Sequence, residues 1–169
     1  MKLIILKYII YLTYKMNIVT DINNINMHNI FFNEKVKNTV IDNSHFIRIN
    51  YSNQLFTLTG IFIDLNLEIC EIEKYYNKYK YNYKISNNSI SINKLIELER
   101  LILSSPLLKD SYKCYKLKEQ LLSGNIKTFN NNFNSKSNSY NFILKISGVW
   151  LSSSGCGLTF KFFNPESIC

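Results

Sequence analysis

Two period-2 runs dominate the first half of the chain. Phe46, Arg48 and Asn50 alternate with Ile47, Ile49 and Tyr51, and beyond Ser52-Asn53 a second run extends from Gln54 to Leu65. Alternation sends successive side chains to opposite faces of a strand, so two such runs around a polar pair predict a β-hairpin. It puts Tyr51 and Phe56 on the face of Ile47 and Ile49, with Arg48 opposite. Gly60, inside the second run, predicts a bulge or sharp bend. Near the other end, Tyr140 to Trp150 and Leu158 to Phe163 read as two further strands, joined through Leu151 to Gly157 into a closing hairpin.

The period changes in between. Ile92, Leu95, Ile96, Glu99 and Ile102-Leu103 share one helical face; Ser91 is a candidate N-cap and Ser104-Ser105-Pro106 a stop. A second short helix is expected from Tyr112 to Leu122, ending at Gly124. Thr20 to Asn29 is polar, Ile30-Phe31-Phe32 opens the folded part, and Asn33 to His45 reads as a loop or irregular edge. Asn130 to Ser139 is an Asn/Ser-rich loop. The expected fold is mainly β with one or two inserted helices (about 91–124): an OB-like, partly open barrel of about five to six strands. Residues 25–169 form that single domain, and residues 1–24 an N-terminal extension or first element. In the latter, Lys7 cuts the apolar run well short of the ~20 residues of a membrane span. No small-residue cleavage site marks a signal peptide, and Met16 is an alternative start.

Composition changes the weight of these signals. The chain has no Ala, two Arg (Arg48 and Arg100) and an excess of Asn, Ile, Lys and Tyr, the residues of A/T-rich codons. That implies an A/T-rich genome, such as that of a large DNA virus, a plasmid or a parasite, and discounts Lys/Tyr runs as evidence of function. The net charge of +8 still favours anionic partners, nucleic acid before membrane surfaces.

Little points to chemistry. Cys70, Cys114, Cys156 and Cys169 are far apart, and neither His28 nor His45 stands at zinc-ligand spacing from them, so no metal is expected. The glycines match no phosphate-binding loop. Gly155-Cys156-Gly157 reads as a hairpin tip rather than a nucleophile turn, and Asp64, Glu68, Glu97 and Glu99 as solvated faces. The expectation is a binding protein, not an enzyme: no catalytic residue, no cofactor, no small-molecule substrate and no membrane span.

Binding chemistry concentrates in Glu71 to Lys84. There Lys74, Lys78, Lys80 and Lys84 interleave with Tyr75, Tyr76, Tyr79, Tyr81 and Tyr83, and cations on phosphates with rings under bases are what hold a single strand. An amphipathic solvated strand or helix would have the same composition. Arg48, with Tyr51 and Phe56 nearby, is a smaller candidate, and Lys145, Lys161 and Trp150 lie on the closing hairpin.

Three stretches resemble viral single-stranded-DNA-binding proteins of the podophage and large-DNA-virus OB-fold type. Glu34 to Val40 with Phe46 to Leu58 and Gly60 resembles their N-terminal hairpin; Phe142 to Trp150 and Gly157 to Phe162 resemble their closing strands; Leu117 to Lys127 sits where that family varies. The resemblance implies sequence-independent binding of single-stranded DNA during viral or plasmid replication and recombination. Arg48, Tyr51, Phe56, Lys145 and Lys161 would then lie at or near the groove. Its setting would be intracellular, at a replication site or in the virion, with replication proteins or a second copy of the chain as compatible partners. The acidic tail of the phage members has no counterpart in Asn164 to Cys169. The alternative is a small viral structural or protein-interaction protein whose β core has no nucleic-acid activity.

Overall fold

A computed structural model describes residues 19–39, 42–129 and 138–164. The expected N-terminal extension up to residue 18 and most of the Asn/Ser-rich loop (130–137) lie outside the described residues.

Among the described residues the chain is mainly β, in two open sheets and not a closed barrel. The larger sheet has eight strands among the described residues, five of them longer than two residues: β2 (Ile30–Lys37), β3 (His45–Ser52), β5 (Ile61–Glu68), β10 (Ser139–Ser152) and β11 (Gly155–Phe163). The other three, β1 (Thr20–Asp21), β4 (Thr57–Leu58) and β8 (Lys113–Cys114), are two-residue pairings at its margins. The second sheet has the order β6 (Glu71–Tyr75), β7 (Lys78–Asn82), β9 (Asn125–Thr128), all antiparallel.

β10 organises the larger sheet. It pairs with β11 from Ile143 to Ser152; along its other edge it takes β5 from Ser139 to Ile146 and β3 from Gly148 to Leu151. The change of partner coincides with a register shift between Ile146 and Gly148. Gly60 produces the same divergence on the opposing chain: its φ of +112° belongs to glycine, and a Cβ there would lie 2.8 Å from the Ile146 carbonyl oxygen. The expected first hairpin therefore closes only through β4, where Tyr51 pairs with Leu58 and Ser52 with Thr57. Its turn is the four residues Asn53 to Phe56 instead of Ser52-Asn53, because the Asn53 side chain accepts from the Leu55 and Phe56 backbone nitrogens at 2.8 and 3.0 Å. The chain then bends at Gly60 and pairs with β10.

Asn33 to Lys37, read as loop or edge, continues the edge strand β2, which bulges between Phe32 and Lys35. Thr20 and Asp21 pair with Ile63 and Asp64, so the fold starts ahead of residue 25. The closing hairpin is longer than expected: β10 and β11 meet at Ser153-Ser154, and Gly155, Cys156 and Gly157 are strand residues rather than a tip.

Helix α1 (Ser89–Leu103) starts two residues before the expected cap Ser91, and α2 (Lys116–Leu122) is the short second helix. Ile92, Leu95, Leu98, Ile102 and Leu103 of α1, with Leu117 and Leu121 of α2, join the inward residues of the sheets in one core. These inward residues keep the predicted alternation: Ile47, Ile49 and Tyr51 on β3, and Ile61, Ile63, Leu65 and Leu67 on β5. Tyr81 ties the second sheet to this core, its ring 5.0 Å from that of Phe142 at 79° and 5.9 Å from that of Tyr140. Glu99, read as solvated, is fully buried, whereas Glu97 is exposed and pairs with Arg100.

Candidate nucleic-acid interface

Strand alternation divides the Lys/Tyr segment in two. In the β6–β7 hairpin, Tyr81 pairs with Ile72 and Ile126, and Tyr79 with Lys74 and Thr128, so these positions share the inward face. Tyr75, Lys78 and Lys80 take the outward face with Lys127, which pairs with Lys80. On the larger sheet the register aligns Phe62, Lys145 and Lys161 in one outward row across β5, β10 and β11. Ile143 and Phe163 are neighbours in the next row.

Side-chain geometry joins the two outward faces. Lys127 Nζ lies 3.9 Å from the centre of the Tyr75 ring, and Lys78 Nζ 4.6 Å from that of Phe129. Lys161 Nζ stands 5.2 Å from Phe129 and 4.8 Å from Phe163, and Lys145 Nζ 5.0 Å from Phe62. The result is a stripe of alternating cations and rings from the tip of the β6–β7 hairpin to Phe62 at the start of β5. Phe129 is its hinge point, with half its surface exposed.

The charges on this stripe are available. The ion pairs among the described residues are Lys80 with Glu73, Arg100 with Glu97 and Lys116 with Glu119; none uses Lys78, Lys127, Lys145 or Lys161. A lysine over an exposed ring gains only ~0.5–1 kcal/mol, little enough for the ammonium to leave the ring for a phosphate. Lys80 is partly committed, 3.4 Å from a Glu73 carboxylate that also accepts from Asn82.

The sequence candidates separate accordingly. Lys78, Lys80, Lys145 and Lys161 belong to the stripe, and Arg48 is exposed on the outward face of β3. Tyr51, Tyr81 and Tyr83 do not belong: each is at most 5% exposed, so none can offer a ring to a base. The Tyr83 hydroxyl donates to the Leu121 carbonyl at 2.8 Å, and burial pushes its pKa well above that of an ordinary tyrosine. Burial also raises that of Tyr81. Tyr79 and Phe56 are half-buried against the core. Lys74 is exposed but on the inward side of its strand, and Lys84 lies beyond the end of β7.

Tyr75, one of the interleaved rings, belongs to the stripe, and Phe62, Lys127, Phe129 and Phe163 join it without having been singled out. Phe62 was legible, since it alternates with the apolar Ile61 and Ile63. Lys127 and Phe129 were not, because β9 is a four-residue strand with no periodic signature of its own.

Among the described residues no three His, Cys, Asp or Glu side chains are grouped to hold a metal ion, and no helix is long and apolar enough to cross a membrane. The chain matches no protein-family model, no curated protein and no solved structure.

Proposed function

We propose that this protein binds single-stranded DNA without sequence preference, along the outward stripe of lysines and rings, in the replication or recombination of an A/T-rich viral or plasmid genome. The observation that carries this reading is that four lysines with no carboxylate partner among the described residues each sit on an outward-facing ring. Phosphates would draw the ammonium groups off the rings, leaving the ring faces for unstacked bases. A duplex keeps its base faces covered, so rings on a broad sheet have nothing there to stack on.

The test is fluorescence anisotropy of labelled oligo-dT at two salt concentrations, with duplex DNA as competitor. Four lysines each neutralising one phosphate give a slope of about −3 for log K against log salt. Micromolar or tighter binding with that slope, undisturbed by duplex, is expected; absence of binding at low salt overturns the reading.

A separate observation favours a protein-interaction role as the second reading. Strand β2 pairs only with β3 among the described residues and leaves Phe31 and Val36 half exposed, at 51% and 54%; a strand edge without a partner is a template for pairing with another chain.

A further inference from the structure

Two glycines on the outward face lie beneath aromatic rings. Gly148 on β10 and Gly157 on β11 face the same side as Lys145 and Lys161, once the register shift after Ile146 is taken into account. A Cβ on Gly148 would come 2.5 Å from Phe46 Cζ, and a Cβ on Gly157 2.8 Å from Trp150 Cζ2 and 2.9 Å from Cε2. Both rings therefore lie down over the neighbouring strand, in the place a side chain would occupy, instead of standing upright. Phe46 and Trp150 are register partners, and each remains only half-buried.

Covering a glycine with a ring stabilises a sheet, and that accounts for the packing beneath. It does not account for what stands beside it. Arg48, one step along the same face of β3 and directly opposite Gly148, is exposed and has no ion pair among the described residues. A guanidinium next to two flat, partly open rings repeats the chemistry of the stripe at a second place on the same face. The two places are joined by β10: from Lys145 to Trp150 is about 15 Å by strand rise. That falls within the reach of the roughly 4 to 16 nucleotides covered by one such binding surface.

We infer that Phe46 and Trp150, seated on Gly148 and Gly157 and flanked by Arg48, form a second base-stacking platform for the same single strand. The inference rests on the proposed function and extends it: bases stack at two separated places, and the strand follows β10 between them.

Trp150 is the sole tryptophan of the chain, so its emission reports on this platform alone. The experiment titrates the intact protein with oligo-dT at low salt, following oligonucleotide anisotropy and tryptophan emission, excited beyond tyrosine absorption, in parallel. Quenching of the emission along the anisotropy curve is expected. W150A should weaken binding about tenfold while W150F retains most of it, since a ring is what a base stacks on. Anisotropy that reports binding while emission stays unchanged and W150A binds as the wild type overturns the platform and leaves the stripe standing. No binding in either signal overturns the platform and the proposed function together. If W150A fails to fold, the wild-type emission decides: quenching along the anisotropy curve supports the platform and an unchanged emission overturns it.

Discussion

The Glu99 carboxylate lies 2.9 Å from the Leu117 backbone nitrogen and closes the start of a helix that has no cap of its own. Its other oxygen takes the Lys118 N–H at 2.8 Å, and Tyr115, at the local cap position of α2, makes no side-chain capping bond. A residue on α1 thus satisfies two of the donors that every helix N-terminus leaves open. Replacing it by Ala strands both in the core and should cost about 2–4 kcal/mol; E99Q keeps one acceptor oxygen and should cost about half of that. Urea unfolding of the two variants measures the difference.

Burial raises the Glu99 pKa above its ordinary value of 4.5, against the two backbone hydrogen bonds, which lower it. The folded state then holds this proton more tightly than the unfolded one. Glu99 therefore makes stability fall as pH rises from about 4.5 through its folded pKa, with no further change above it. The difference in unfolding free energy between wild type and E99Q, followed from pH 4 to 8, should carry this slope. A flat difference would show that Glu99 titrates alike in both states.

Tyr75 and Tyr81 stand in one hairpin and should behave oppositely. Y81A removes a ring that is 1% exposed and packed on Phe142, a loss of about 3–5 kcal/mol in thermal or urea unfolding. Y75A removes a ring that is 43% exposed; its stability should stay within about 0.5 kcal/mol of wild type. Its affinity for oligo-dT should drop about fivefold or more.

The lysines are distinguished by salt dependence. K145A and K161A should each lower the slope of log K against log salt by about 0.7, the share of one phosphate on a single strand. Lys84, past the end of β7, should leave the slope unchanged when replaced. Equal effects of all three would mean that the bound strand follows another path.

G60A should destabilise the fold by about 2 kcal/mol or more, because a positive φ and a close carbonyl both oppose a side chain there. Since Gly60 turns the chain from β4 into β5, chemical denaturation of this variant tests whether that bend is needed for β10 to hold two partners on one edge.

The sequence by itself determined the local periods. Ile47, Ile49 and Tyr51, and the run from Ile61 to Leu67, point inward because a strand alternates by two and only one of its faces meets the core. The helix ending before Pro106 and the bend at Gly60 follow from the conformations that proline and glycine impose. Tertiary structure decided which strand pairs with which, since alternation says nothing about partners: β10 holds β3, β5 and β11 together. It also decided which rings of the Lys/Tyr segment are free. A run of Lys and Tyr reads the same whichever face is buried; only the register of β7 against β6 and β9 turned Tyr79 and Tyr81 inward and left Tyr75 and Lys78 outside. The stripe itself brings together residues from Phe62 to Phe163, and the buried acceptor Glu99 meets Leu117 from another helix. Contacts at such separations depend on how elements pack, which no local pattern encodes.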